Sequence, residues 1–121
     1  MYTIQKEFHF SASHCLAGLA PEHPCTRVHG HNYIVIVEFS ARKLNDVGMI
    51  IDYRELEPIK KLIDNNLDHR HLNDAIKGMN PTAENLADYL YGIFHVLFPQ
   101  ITAVVVKETD KTAARYTPDT Y

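Results

Sequence analysis

Tryptophan is absent from this chain, and cysteine occurs only at Cys15 and Cys25. Two thiols make no disulfide framework, which excludes a small scaffold stapled by several bridges; in a reducing compartment both stay reduced. No apolar run approaches the ~20 residues that a membrane span requires. Met1 to Lys6 lacks the basic-then-apolar order of a signal peptide, so a cytoplasmic protein is expected. Surplus positive charge is missing too: 12 Lys and Arg stand against 15 Asp and Glu, a net charge of -3. That balance gives no electrostatic footing for nucleic acid or a membrane surface, and neither is expected as a partner.

What remains is 121 residues, 45% apolar, with eight histidines. The length fits one domain, residues 1–121, with a real core. A domain this small often gains stability by oligomerisation. Eight histidines against five phenylalanines point towards metal or acid–base chemistry without establishing either.

Residues 2–14 alternate. Tyr2, Ile4, Phe8, Phe10, Ala12 and His14 share one face and more polar residues the other, the pattern of a half-buried strand. Residues 15–28 carry Gly18, Pro21 and Pro24 and read as a loop. A second strand over 31–40 is apolar on both faces and expects cover on both, helices on one side and a neighbouring subunit on the other. Asp52 and Glu55 resemble a capping pair before a helix bearing Leu56, Ile59, Leu62 and Ile63, with Pro58 predicting a kink or a late start. Residues 64–80 read as loop. A second helix is expected from Asn80-Pro81-Thr82, with Pro81 in the first turn and Pro99 as its stop. Strands over 101–108 and 112–117 follow. Segregated strands and helices indicate an α+β fold with an antiparallel sheet and helices on one face.

His29-Gly30-His31 is the sharpest local feature. Residues i and i+2 of a strand point to the same side, so both imidazoles can reach one ion. If the first two strands pair as a hairpin, His14 joins them, leaving an open fourth position as in a catalytic zinc site. On its own a His-x-His pair is a weak signal, and chance or a bland surface pair explains most such matches. His9, His23 and His95 read as non-ligands, and Cys15 as a small buried side chain. Cys25 is a structural thiol or, beside a cation, an ionisable one. Asp68-His69 is a solvated loop or a carboxylate fixing an imidazole tautomer. Glu108 is a strand-end charge or an acceptor for a guanidine-like ligand edge.

Taken in order, these segments resemble the 6-pyruvoyl/6-carboxytetrahydropterin synthase family. The matching motifs are Phe8-x-Phe10-x-Ala12-x-His14, Cys25 to His31, Leu67-Asp68-His69, Asn80 to Asn85, and Val106 to Thr109, spread over nearly the whole chain. The resemblance implies a tunnelling fold: a four-stranded antiparallel sheet with two helices on one face, three sheets closing into a barrel, as trimers or dimers of trimers with active sites between subunits. It implies Zn2+ on His14, His29 and His31, and Cys25, Asp68 and His69 as the acid–base set. Glu108, Thr82 and Ala83 correspond to pterin contacts. The Cys-x-x-x-His-Gly-His spacing resembles the 6-carboxytetrahydropterin synthases of the queuosine pathway, which act on 7,8-dihydroneopterin triphosphate. The 6-pyruvoyl branch has a longer interval, and a folate-linked branch has Glu where this chain has Cys25. His71 stands where many relatives carry Tyr. Arg27 and Arg115 are candidates for the triphosphate. The competing expectations are a 6-pyruvoyl product, a non-catalytic zinc or pterin-binding scaffold, and a small metal-dependent hydrolase.

Overall fold

The computed structural model describes residues 1–119; the last two positions of the expected 1–121 domain lie outside them. Strands β1 (Tyr2–His14) and β2 (His29–Ala41) form a long antiparallel hairpin, with Tyr2 opposite Ala41 and His14 opposite His29. The remaining elements are α1 (Glu57–Asn66), β3 (Arg70–His71), the single turn α2 (Leu72–Ala75), α3 (Ala83–Leu97), β4 (Ile101–Thr109) and β5 (Thr112–Tyr116). β4 adds antiparallel to β2, and β5 to β4. The sheet order is β3-β1-β2-β4-β5.

The sheet therefore has five strands, not the expected four, and it is not wholly antiparallel, because β3 runs parallel to β1 at Ala12 and Ser13. Two residues carry no period of their own, so only tertiary pairing creates this strand. It is attached where the His69 N–H donates to the Ser11 carbonyl at 2.6 Å. Residues 64–80 are likewise not all loop: they hold the end of α1, β3 and α2.

The alternation of β1 is realised. Phe8, Phe10, Ala12 and His14 are buried, as are Tyr33, Val35, Val37 and Phe39 of β2. Leu56, Ile59 and Ile63 around α1 and Leu86, Leu90 and Phe94 of α3 complete that core. On the other face Ile34, Ile36 and Val105 remain half-buried. Pro58 falls in the first turn of α1, where its missing donor is not needed, and Asp52 caps the preceding 3-10 turn, Tyr53–Leu56, through the Arg54 N–H. Thr82 caps α3 by accepting from the Asn85 N–H at 3.1 Å. Pro81 thus sits before the cap and outside the first turn, contrary to the expectation. Among the described residues no helix is long and apolar enough to cross a membrane.

Candidate metal centre

The hairpin brings His14 directly opposite His29, with His31 diagonal to His14 across the Ala12–His31 pair. All three are on the helix-facing side at one end of the sheet. Their ligand atoms lie within 4.8 Å of one another, and the ring centroids are 4.5 to 5.1 Å apart. His14 is fully buried. Its Nδ1–H donates to the Pro81 carbonyl at 2.8 Å, with the Tyr33 hydroxyl 3.2 Å from the same nitrogen. His29 Nδ1–H donates to the Arg27 carbonyl at 2.8 Å. These bonds select the tautomer whose Nε2 carries the lone pair.

The Nε2 atoms of His14 and His31 are buried and have no hydrogen-bond partner. Glu108 Oε2 stands 3.3 Å from each, near enough for ionic attraction but off the hydrogen-bonding line. A buried nitrogen lone pair left unmatched is a costly arrangement, and a cation held by His14 and His31, with His29 as third ligand, resolves both. The donor set therefore fits a metal ion. Burial holds His14 below the usual imidazole pKa, against the opposing pull of the Pro81 carbonyl and the Glu108 carboxylate. The same burial, helped by Glu108, pushes the Tyr33 hydroxyl well above the ordinary phenol range.

Cys25 lies half-buried in a 3-10 turn, Pro24–Thr26, capped by His23. Asp68 and His69 lie elsewhere, beside the edge of β1. Asp68 Oδ1 accepts the Ser11 N–H at 2.9 Å, and Oδ2 accepts from His69 Nδ1 at 2.8 Å. Those two bonds, the Ser11 one foremost, hold the carboxyl below its usual range. His69 adopts φ 58, the left-handed region, with a side chain 81% exposed. No hydrogen bond joins Cys25 to Asp68 or His69 among the described residues. Thr82 spends its hydroxyl on the α3 cap, and Ala83, buried, opens the helix.

The family model described as 6-pyruvoyl tetrahydropterin synthase matches residues 3–119. The chain belongs to that family. A Synechocystis 6-carboxy-5,6,7,8-tetrahydropterin synthase is 35% identical, over 96% of this chain and 93% of its own. A Bacillus subtilis protein of the same name is 30% identical, over 97% and 86%. The structure of Caenorhabditis elegans 6-pyruvoyl tetrahydropterin synthase superposes with TM-score 0.87 at 25% identity, covering 98% of this chain and 96% of its own. This chain is accordingly an enzyme, a lyase of the 6-pyruvoyl tetrahydropterin synthase family.

Within this family member, sequence reasoning missed three things. Glu108 shares the helix-facing side with Val106 and touches two imidazoles; the two-residue alternation of β4 carried that signal. The Pro81 carbonyl that orients His14 has no side-chain signature. Arg115, a triphosphate candidate, gives its guanidinium to Glu38 at 2.9 and 3.2 Å. His71 Nδ1 pairs with Ser13 Oγ at 2.9 Å. His9 pairs with Glu7 and His95 stacks on Tyr91, and neither belongs to the cluster.

Proposed function

We propose that this protein is a zinc-dependent carbon–carbon lyase that converts 7,8-dihydroneopterin triphosphate and water to 6-carboxy-5,6,7,8-tetrahydropterin, releasing acetaldehyde and triphosphate, on the route to queuosine. The observation that carries this reading is the three-imidazole cluster with its partnerless Nε2 atoms, in a chain 35% identical to a protein named for that product. The Cys25-x-x-x-His29 spacing supports the same branch.

His14, His29 and His31 hold the ion, which when bound supplies Lewis acidity to oxygens of the substrate side chain. The Cys25 thiolate takes a proton from a side-chain carbon, and His69, oriented by Asp68, moves protons on the other flank. The Glu108 carboxylate accepts paired N–H donors of the pterin ring; its position 3.3 Å from His14 and His31 supports that reading. Backbone groups at Thr82 and Ala83 line the same ring.

That Asp68 and His69 pair with each other and with Ser11, and share no hydrogen bond with Cys25 among the described residues, supports a site shared between subunits, in a trimer or a dimer of trimers. Half-buried Ile34, Ile36 and Val105 on the face away from the helices support the same assembly, with the whole chain acting as one domain.

The test is mass spectrometry of the products formed by zinc-loaded protein from dihydroneopterin triphosphate, beside a Cys25→Ala variant. The expected result is 6-carboxytetrahydropterin with acetaldehyde, lost in the variant while zinc stays bound. A variant with full turnover sinks the thiol's role. A 6-pyruvoyltetrahydropterin product moves the protein to the other branch, a reading favoured by the C. elegans neighbour's name.

A further inference from the structure

Two asparagines that the reaction scheme does not use hold the chain between the metal site and Cys25. Asn73 forms a reciprocal pair with the backbone of Cys15: Oδ1 accepts the Cys15 N–H at 3.0 Å, and Nδ2 donates to the Cys15 carbonyl at 2.8 Å. Asn80 does the same to Ala17, with both bonds at 3.0 Å. A primary amide presents one donor and one acceptor side by side, so it reads a backbone segment as a neighbouring strand would. Between these two clamps the Leu16 N–H donates to the Cys25 carbonyl at 2.8 Å. Backbone groups of residues 15 and 17 thus face the two amides, and that of residue 16 faces the thiol's turn.

Asn80 is itself anchored. Its carbonyl accepts from the Thr82 N–H and from Asn85 Nδ2, both at 2.8 Å, at the start of α3. The next carbonyl, Pro81, orients His14. One three-residue segment therefore holds a metal ligand through its backbone and the thiol's loop through a side chain.

We infer that Asn73 and Asn80 are positioning residues that set the Cys25 thiol relative to the imidazole cluster, acting through the Cys15–Ala17 segment and the Leu16–Cys25 hydrogen bond. The inference rests on the reading of Cys25 as the proton-abstracting thiol. Thr26 Oγ1, bonded to the Pro21 and His23 carbonyls, stiffens the turn internally but does not tie it to the sheet. The Leu16 bond ties it to the segment that leaves β1 after His14.

The experiment uses the zinc-loaded full chain in a Cys15→Ser background, so that only Cys25 reacts with iodoacetamide. Asn73→Ala, Asn80→Ala and the double variant are compared for alkylation rate, kcat, KM, zinc content and Tm. The expected result for the double variant is a kcat ~10-fold or more lower with KM within ~3-fold, because a displaced catalytic group loses rate before affinity. The Cys25 alkylation rate should change ~5-fold or more, with one zinc per chain retained. A purely structural role would lower Tm and leave the alkylation rate of the folded protein unchanged. An unchanged alkylation rate and kcat, in a preparation where Cys25→Ala abolishes turnover, overturns the inference and spares the thiol's role. Full turnover in Cys25→Ala instead overturns the reading beneath it. Asn73→Ala alone keeps the Asn80 clamp and the α3 cap, and decides the matter if the double variant does not fold.

Discussion

Removing the His31 imidazole should abolish metal-linked stability while leaving the metal-free protein nearly untouched. In the metal-free chain the His31 Nε2 is buried with no partner, and a buried unsatisfied group costs about 1–3 kcal/mol. Truncating His31 to alanine relieves that penalty. It also forfeits packing, but the side chain is 20% exposed, so water fills part of the space. The two effects nearly cancel, and metal-free His31→Ala should lie within about 1 kcal/mol of the parent. The loaded state differs. A ligand at 100 times its Kd stabilises by about 2.7 kcal/mol, worth roughly 10 °C in Tm for a chain of this size. Differential scanning calorimetry at fixed protein concentration, with chelator and then with excess zinc, should show that rise in the parent and none in His31→Ala. Two results refute the reasoning. One is a rise of equal size in the variant. The other is a metal-free variant that melts ~10 °C lower, which would make the imidazole a packing element.

Glu38 is 8% exposed and takes two hydrogen bonds from Arg115 and one from Gln5, which hold its pKa below the usual value. A depressed folded pKa contributes stability above the unfolded pKa, near 4.5, and loses it as pH falls through the folded one. Glu38→Gln should flatten the acid limb of a urea-stability profile between about pH 5 and 3, and an unchanged limb excludes the pair as its source. His69→Gly should be more stable than His69→Ala by about 1 kcal/mol in urea melts, since alanine resists a left-handed φ of 58, while both lose turnover. Equal stability would show that the backbone relaxes at that position. Phe94→Ala empties a fully buried site on α3 and should lower unfolding free energy by about 3–5 kcal/mol in the same melts.

Much of the fold was legible because its long elements carry strong periods. β1 and β2 alternate over thirteen residues each, and α3 repeats its apolar stripe over fifteen. The hairpin that unites His14 with His29 and His31 followed from those periods. β3 did not. Arg70 and His71 become a strand only because the Ser11 carbonyl and the Asp68 carboxylate fasten them to β1, and no two-residue pattern reports that. Side-chain chemistry was legible where residue type dictates it, as for three imidazoles. It was not legible where a common residue does backbone work, as Asn73, Asn80 and Pro81 do.

The start of α3 shows why those unremarked residues matter. Thr82 caps the helix, the Pro81 carbonyl fixes the His14 tautomer, and the Asn80 amide holds Ala17. A helix whose buried stripe includes Leu86, Leu90 and Phe94 is a rigid body, so its first turn is a fixed point on the core. The His14 ring and the loop carrying Cys25 are referenced to that point by adjacent residues, Pro81 and Asn80. Asp68 and His69 are referenced to a different one, Ser11 at the edge of β1. In the shared-site reading proposed above, these two rigid references, one for the imidazole cluster and the thiol and one for the carboxylate–imidazole pair, face each other across a subunit interface. On that reading, tuning within each half-site is separate from the alignment of the halves. Variants at Asn80 should alter the thiol without changing assembly, and substitutions on the Ile34, Ile36 and Val105 face should alter assembly without changing zinc affinity.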